Sequence, residues 1–291
     1  MQLRLRALDG YELGGHFYSL RSSDAPARVA VLHPGVGIPA VSYRRFAAFL
    51  AEAGIPVLTY DYRGVGGSRP QVLRGFRAGV EDWAEHDCGG AIAWLRGRFP
   101  RGQIIGIANS FASMLIGGAP NSADQTRLVM VGPHTGYYGD YHRRYRWPMT
   151  AVWHGVMPLL AFVLGYFPAR RLGLGEDIPG RIALQWGLRL SAELRPAADA
   201  PAGTRVQDML DRCAALQRPA LIVSISDDAF ATVEGVKRLL SYYPRLFPLE
   251  HIVYAPADAG TRRIGHFGFF GRRAGAALWP RLLAQLEPSP G

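Results

Sequence analysis

Gln103-Ile-Ile-Gly-Ile-Ala-Asn-Ser-Phe-Ala-Ser-Met-Leu-Ile-Gly-Gly118 carries a β-branched apolar run that stops at a serine and passes at once into a helix-like stretch. This is the local pattern of a strand–serine–helix elbow, a sharp turn that lifts one hydroxyl clear of a sheet. The turn tolerates only very small side chains two residues before and two after the serine. The usual form is Gly-x-Ser-x-Gly; here it reads Ala108-Asn109-Ser110-Phe111-Ala112, with an added methyl at both places. By itself the pentapeptide also fits a buried serine at the start of a core helix, so the rest of the chain decides.

On either side, short strand and helix patterns alternate. Gln2 to Ala7 and Leu13 to Ser19 read as a hairpin around Asp9-Gly10. Arg28 to His33, Pro56 to Tyr60, Arg127 to Val131, Ala220 to Ser224 and His251 to Tyr254 read as buried strands. Amphipathic helices are expected near Tyr43 to Ala53, Val80 to Arg96, Thr232 to Leu240 and Ala274 to Leu286. Alternation with continuously apolar strands implies an α/β protein with a mainly parallel sheet covered on both faces. The stretch from Thr135 to about Arg205 breaks the alternation. It divides the chain into a core of residues 1–134 and 206–291 and an inserted helical cap, 135–205.

In such sheets function gathers at the carboxyl ends of strands. Ser110 follows one strand, Asp227-Asp228 another, and Gly265-His266-Phe267-Gly268 lies beyond a third. The order Ser, Asp, His is that of the nucleophile-elbow enzymes. A serine hydroxyl attacks a carbonyl only when a base takes its proton, a part that falls to His266. A carboxylate then holds the imidazole. Counting from Pro219 favours Asp228 for that part over Asp227, and the other of the pair is expected to cap the following helix. A fourth end, His33-Pro-Gly-Val-Gly37, offers backbone N–H groups. Val36 N–H, with Gly35 giving a close approach, and Phe111 N–H are the candidate donors to a developing oxyanion.

These residues, with Asp61-Tyr-Arg-Gly-Val-Gly-Gly-Ser68 and Ile264-Gly-His-Phe-Gly-Phe-Phe270, resemble the α/β-hydrolases, in particular a bacterial group described as serine aminopeptidase-like or predicted hydrolases. The resemblance extends from about residue 28 onward. It implies an α/β-hydrolase fold and a serine hydrolase with a cap between the sixth and seventh strands. It departs from the pattern at both elbow alanines and at Pro34-Gly35, where His-Gly is common.

Two other readings compete. Gly35-Val-Gly-Ile-Pro-Ala40 followed by Asp61 matches a dinucleotide-binding fingerprint, although Pro39 removes an N–H where phosphate would be cradled. A non-catalytic small-molecule-binding protein on a hydrolase fold fits the alanine-flanked elbow. No Cys/His cluster or His-Glu-x-x-His run suggests a metal, and no cofactor is expected.

Composition narrows the setting. The net charge of +10 is carried almost wholly by arginine, since Lys237 is the only lysine, and no basic run is long enough for a nucleic-acid arm. Cys88 and Cys213 argue for a reducing compartment, and with no signal-like core at the N-terminus the cytoplasm is expected. Disorder is expected only at Glu287 to Gly291. Trp147 to Ala169 has no charged side chain and the length of a membrane span, but Pro148, His154, Gly155, Pro158 and Pro168 are expected to interrupt it. A cap that faces substrate is the preferred reading. Tyr138, Trp147, Trp153 and Phe162, with Tyr137, Tyr141 and Phe167, are its candidate lining residues for an apolar acyl ester or thioester. Arg143, Arg144, Arg146, Arg170 and Arg171 bracket the run and make the cap a candidate for peripheral membrane contact.

Overall fold

A computed structural model of the protein describes residues 1–20, 26–189, 191–193 and 205–286. Residues 194–204 of the expected cap and Glu287 to Gly291 lie outside the described residues. The strands of the main sheet are β1 (Gln2–Arg6), β2 (Glu12–Tyr18), β3 (Arg28–His33), β4 (Val57–Tyr60), β5 (Gln103–Asn109) and β6 (Gln125–Val131). A two-residue pair follows, β7 (Tyr166–Phe167) and β8 (Ile178–Pro179), and then β9 (Ala220–Ile225) and β10 (Leu249–Tyr254) return to the main sheet. The eight strands of that sheet run in the order β1-β2-β4-β3-β5-β6-β9-β10. The β1–β2 and β2–β4 pairings are antiparallel and the rest are parallel.

Period-two alternation sorts the central strands between two cores. Along β5, Ile104 and Ala108 pack into one apolar cluster with Trp83, Ile92 and Leu128. Ile105 and Ile107 enter the other, with Phe46, Leu50, Leu278 and Trp279. Fully burying side chains of this size contributes about 1.5–3 kcal/mol each, which fixes the register of the sheet and the level at which each strand ends. His33 pairs with Ala108, and Asn109 with Val131. Strands β3, β5 and β6 therefore stop side by side.

Asp61-Tyr-Arg-Gly is structural. The buried Asp61 carboxylate accepts hydrogen bonds from Ala40 N (2.6 Å) and Gly67 N (2.8 Å). That leaves no free carboxylate for a ribose, which weighs against the dinucleotide reading. Cys88 and Cys213 are free, buried thiols, and burial pushes each up to about 12.

Between β6 and β9 the chain leaves the sheet and forms the long helix Arg143–Leu164. The expected interruption does not occur: the helix runs through Pro148 and Pro158. A π-helical stretch over Ala151–Val156 lies between the prolines. Its altered hydrogen-bond ladder absorbs the N–H that Pro158 lacks.

Candidate active site

The elbow forms with alanine at both flanking positions, each fully buried. Ser110 is the only non-glycine residue with positive φ among the described residues, at 62°. A left-handed conformation costs an L-residue about 1–2 kcal/mol, so neighbouring bonds must hold it. Ser110 N donates to Val131 O (2.9 Å). Asn109 Nδ2 donates to the same carbonyl (3.2 Å), while its Oδ1 accepts from the Tyr43 hydroxyl (2.8 Å). Tyr43 Oη in turn accepts from Gly35 N (2.8 Å). One phenol thus ties the loop after β3 to the elbow after β5. Glycine at position 35 permits this close approach, because a Cβ there would lie 3.0 Å from Asn109 Oδ1 and 3.5 Å from Ser110 Cβ.

Around the hydroxyl, the hydrogen-bond partners fix the direction of every proton. His266 Nδ1–H donates to Asp228 Oδ2 (2.7 Å), which leaves Nε2 to accept from the Ser110 hydroxyl (2.8 Å). Burial works against charge on Asp228. The His266 ring and the amides of Phe230 (2.8 Å) and Ala231 (3.0 Å) outweigh it and hold the carboxyl below its ordinary value. Gly132 makes room for this pair: a side chain there would begin 3.2 Å from Asp228 Oδ2.

A second imidazole completes the network. His134 Nε2 lies 2.9 Å from Ser110 Oγ, and its Nδ1 accepts from Gly136 N (2.8 Å). Burial, reinforced by the neighbouring His266, drives His134 down to about 3, so the ring is neutral. With Nδ1 occupied as an acceptor, the proton resides on Nε2 and is donated to Ser110 Oγ. The hydroxyl therefore accepts from one histidine and donates to the other. Sequence reasoning missed His134, although a signal was present: Gly132-Pro133-His134 directly follows β6, another carboxyl end in the same row.

Asp228 and His266 meet at Ser110, while Asp227 does something else. Its carboxylate accepts from Ile264 N (3.0 Å) and Gly265 N (2.9 Å). It thus anchors the segment that carries His266 and does not cap the following helix. That cap is Thr232, whose side chain accepts from Gly235 N. Val36 N and Phe111 N donate to no other group among the described residues, which leaves both amides available beside Ser110.

The hydroxyl and both imidazoles open into a cavity of about 190 Å³. Its other walls are apolar, among them Val36, Trp153, Met157, Phe167, Ile178 and Trp186. Of the aromatic residues expected to line the site, Trp153, Tyr141 and Phe167 do so. Trp147 and Phe162 point outward, 76% and 82% exposed, and Tyr138 packs instead on Tyr137 and His154. The physical reason is the π-helical stretch over Ala151–Val156, which breaks the 3.6-residue period between them and leaves both Trp147 and Phe162 on exposed helix surface. Among the described residues no cluster of three or more His, Cys, Asp or Glu is placed to hold a metal ion.

Neither a protein-family profile nor a curated protein sequence matches the chain. Solved structures do. The esterase Pf2001 of Pyrococcus furiosus aligns over 98% of this chain and 89% of its own, with a TM-score of 0.60 and 17% identity. A monoacylglycerol lipase of Paleococcus ferrophilus aligns over 94% of this chain and 97% of its own, with a TM-score of 0.56 and 13% identity. The thioesterase domain of the curacin biosynthetic pathway covers 98% of this chain and 99% of its own, with a TM-score of 0.52 and 12% identity. With its strand order, its serine elbow and a likeness that runs the length of these structures, the chain has the α/β-hydrolase fold.

Proposed function

We propose that this protein is a serine hydrolase that cleaves an ester or thioester of an apolar acyl group through an acyl-enzyme. The single observation that carries the reading is the hydrogen-bonded chain Asp228–His266–Ser110 at the head of an apolar cavity. Similarity in fold to esterases, a lipase and a thioesterase supports the same class.

Ser110 Oγ attacks the acyl carbon as its proton passes to His266 Nε2, and Asp228 stabilises the imidazolium that forms. The amides of Phe111 and Val36 donate to the oxyanion. His266 returns the proton to the leaving oxygen, or a thiolate departs with less need of it. Water then attacks the acyl-enzyme with His266 again as base. His134 contributes at the end of this second half. Its Nε2–H favours charge on Ser110 Oγ, so it stabilises the serine as the leaving group when the tetrahedral intermediate collapses. The cavity of about 190 Å³, walled by apolar side chains, suits an apolar acyl chain.

Labelling with a fluorophosphonate probe tests the reading. The native protein is expected to label and Ser110→Ala to lose both labelling and p-nitrophenyl ester hydrolysis, by about 10⁴-fold or more. A folded native protein that neither labels nor turns over any ester or thioester in a panel would leave the non-catalytic binding reading in its place.

A further inference from the structure

We propose that the outer face of the cap helix, Arg143–Leu164, docks the protein on an anionic lipid bilayer. This inference does not depend on the proposed hydrolysis. Along the helix, Trp147, Val156, Leu159, Phe162 and Val163 are between 42% and 82% exposed. Val156, Leu159, Phe162 and Val163 recur at the three- and four-residue steps of one apolar stripe, and Trp147 lies nine residues before Val156, across the π-helical stretch. Contiguous exposed apolar surface of this kind marks an interaction site.

The opposite face is already committed to protein. Met157, Pro158 and Ala161 are buried, and His154 Nδ1 lies 2.7 Å from the Gly187 carbonyl. The segment is long enough to cross a membrane, yet crossing would strip those contacts away. Lying in the interface keeps them and buries only the free stripe, to a depth of about 5–10 Å.

Charge selects the occupant. From residue 141 to residue 175 the chain holds Arg143, Arg144, Arg146, Arg170 and Arg171 and no Asp or Glu. Arg143, Arg144 and Arg171 have no carboxylate partner among the described residues, and Arg170 reaches Glu176 only at 3.8 Å. A second copy seated on this stripe would bring two such arginine sets together in a chain of net charge +10. A bilayer with acidic headgroups instead accepts the apolar stripe and neutralises the arginines. Leu172 and Leu174, beyond the helix, are exposed as well, and Leu174 lines the cavity that holds Ser110.

Co-sedimentation of the full chain with vesicles tests this. Vesicles of phosphatidylcholine with about one third phosphatidylglycerol should bind it, phosphatidylcholine alone should bind at least about tenfold less, and added salt should release it. The double variant Leu159→Glu/Phe162→Asp should lose about tenfold or more in vesicle binding with an unchanged melting temperature, because both side chains lie outside the core and the cavity. Arg143→Gln/Arg144→Gln should weaken binding only to the acidic vesicles, by about fivefold for each arginine. Absence of binding to acidic vesicles, or equal binding to both compositions, would overturn the proposal. So would a dimer in sedimentation equilibrium that the Leu159→Glu/Phe162→Asp variant dissolves while the native chain ignores vesicles.

Discussion

The row of strand ends around Ser110 and the cap above it are built from different information. At the strand ends, position is dictated by the sheet. Register places His33, Ala108 and Met130 on one level, and any polar side chain just beyond that level lands in the same crevice. In the cap, position is dictated by which way a helix is turned. Trp153 faces the cavity and Trp147, six residues earlier, faces away. Composition is nearly identical on the two faces, so chemistry alone does not distinguish lining from surface. Substitutions at the strand ends should therefore alter the chemical step, and substitutions in the cap should alter which molecule is held.

The largest effect expected separates two adjacent carboxylates. Asp228→Asn should lower kcat by about 10⁴-fold, because an amide at Oδ2 favours the wrong tautomer of His266. Asp227→Asn keeps an acceptor for one of the two amides it holds, Ile264 N or Gly265 N. It should cost only about tenfold, through a looser seat for His266. Steady-state rates for both variants on one soluble ester give the ratio. Equal losses would mean that the two acids act as a unit and that their division of labour is wrong.

Much of this core is legible in the sequence alone. Ser110, His266 and Asp228 each lie beyond an apolar run, and strand-end logic brings them together by chain order. Counting does not settle the choice between Asp227 and Asp228, since successive residues of a turn can point to either side. The structure divides them by partner, imidazole for one and backbone amides for the other. His134 escapes a sequence reading because Arg127 to Val131 registers only as a core strand, and Gly132-Pro133 beyond it resembles an ordinary turn. In the cap, the inward turn of the half-buried Trp153 and the exposure of Trp147 and Phe162 depend on a π-helical stretch that no propensity scale signals.

The next prediction concerns His134. His134→Phe removes the N–H donated to Ser110 Oγ, a hydrogen bond of about 1–1.5 kcal/mol, and should slow deacylation about tenfold while attack is little changed. Stopped-flow would then show a larger burst and a slower steady state with p-nitrophenyl esters. His134→Gln, which keeps a donor, should recover much of the loss. The substitution has a second signature. In the folded protein His134 resists protonation down to about 3, whereas unfolded histidine takes a proton near 6.5. Its stabilising contribution is present above that unfolded value and is lost as pH falls toward the folded one. Native stability should therefore decline on acidification, and His134→Phe should make that decline shallower by up to about 1.4 kcal/mol per pH unit. His33, buried and likewise lowered to about 3, would account for a similar part that remains.

The smallest effect sharpens the cap itself. Trp186 walls the cavity and packs on Phe111 with ring centroids 5.0 Å apart, whereas Trp147 touches neither. Trp186→Ala should lower kcat/KM for butanoyl esters about fivefold, since a few lost apolar contacts in a pocket are worth about 1–3 kcal/mol. Because the indole leaves space behind, the same variant should shift the preferred acyl chain to greater length. Trp147→Ala should change neither parameter by more than about twofold with a soluble ester, the range of an ordinary surface substitution. If instead Trp147→Ala shifted the chain-length profile, the helix would have to turn that face inward when substrate binds, and the contrast between the two tryptophans would not extend to the complex.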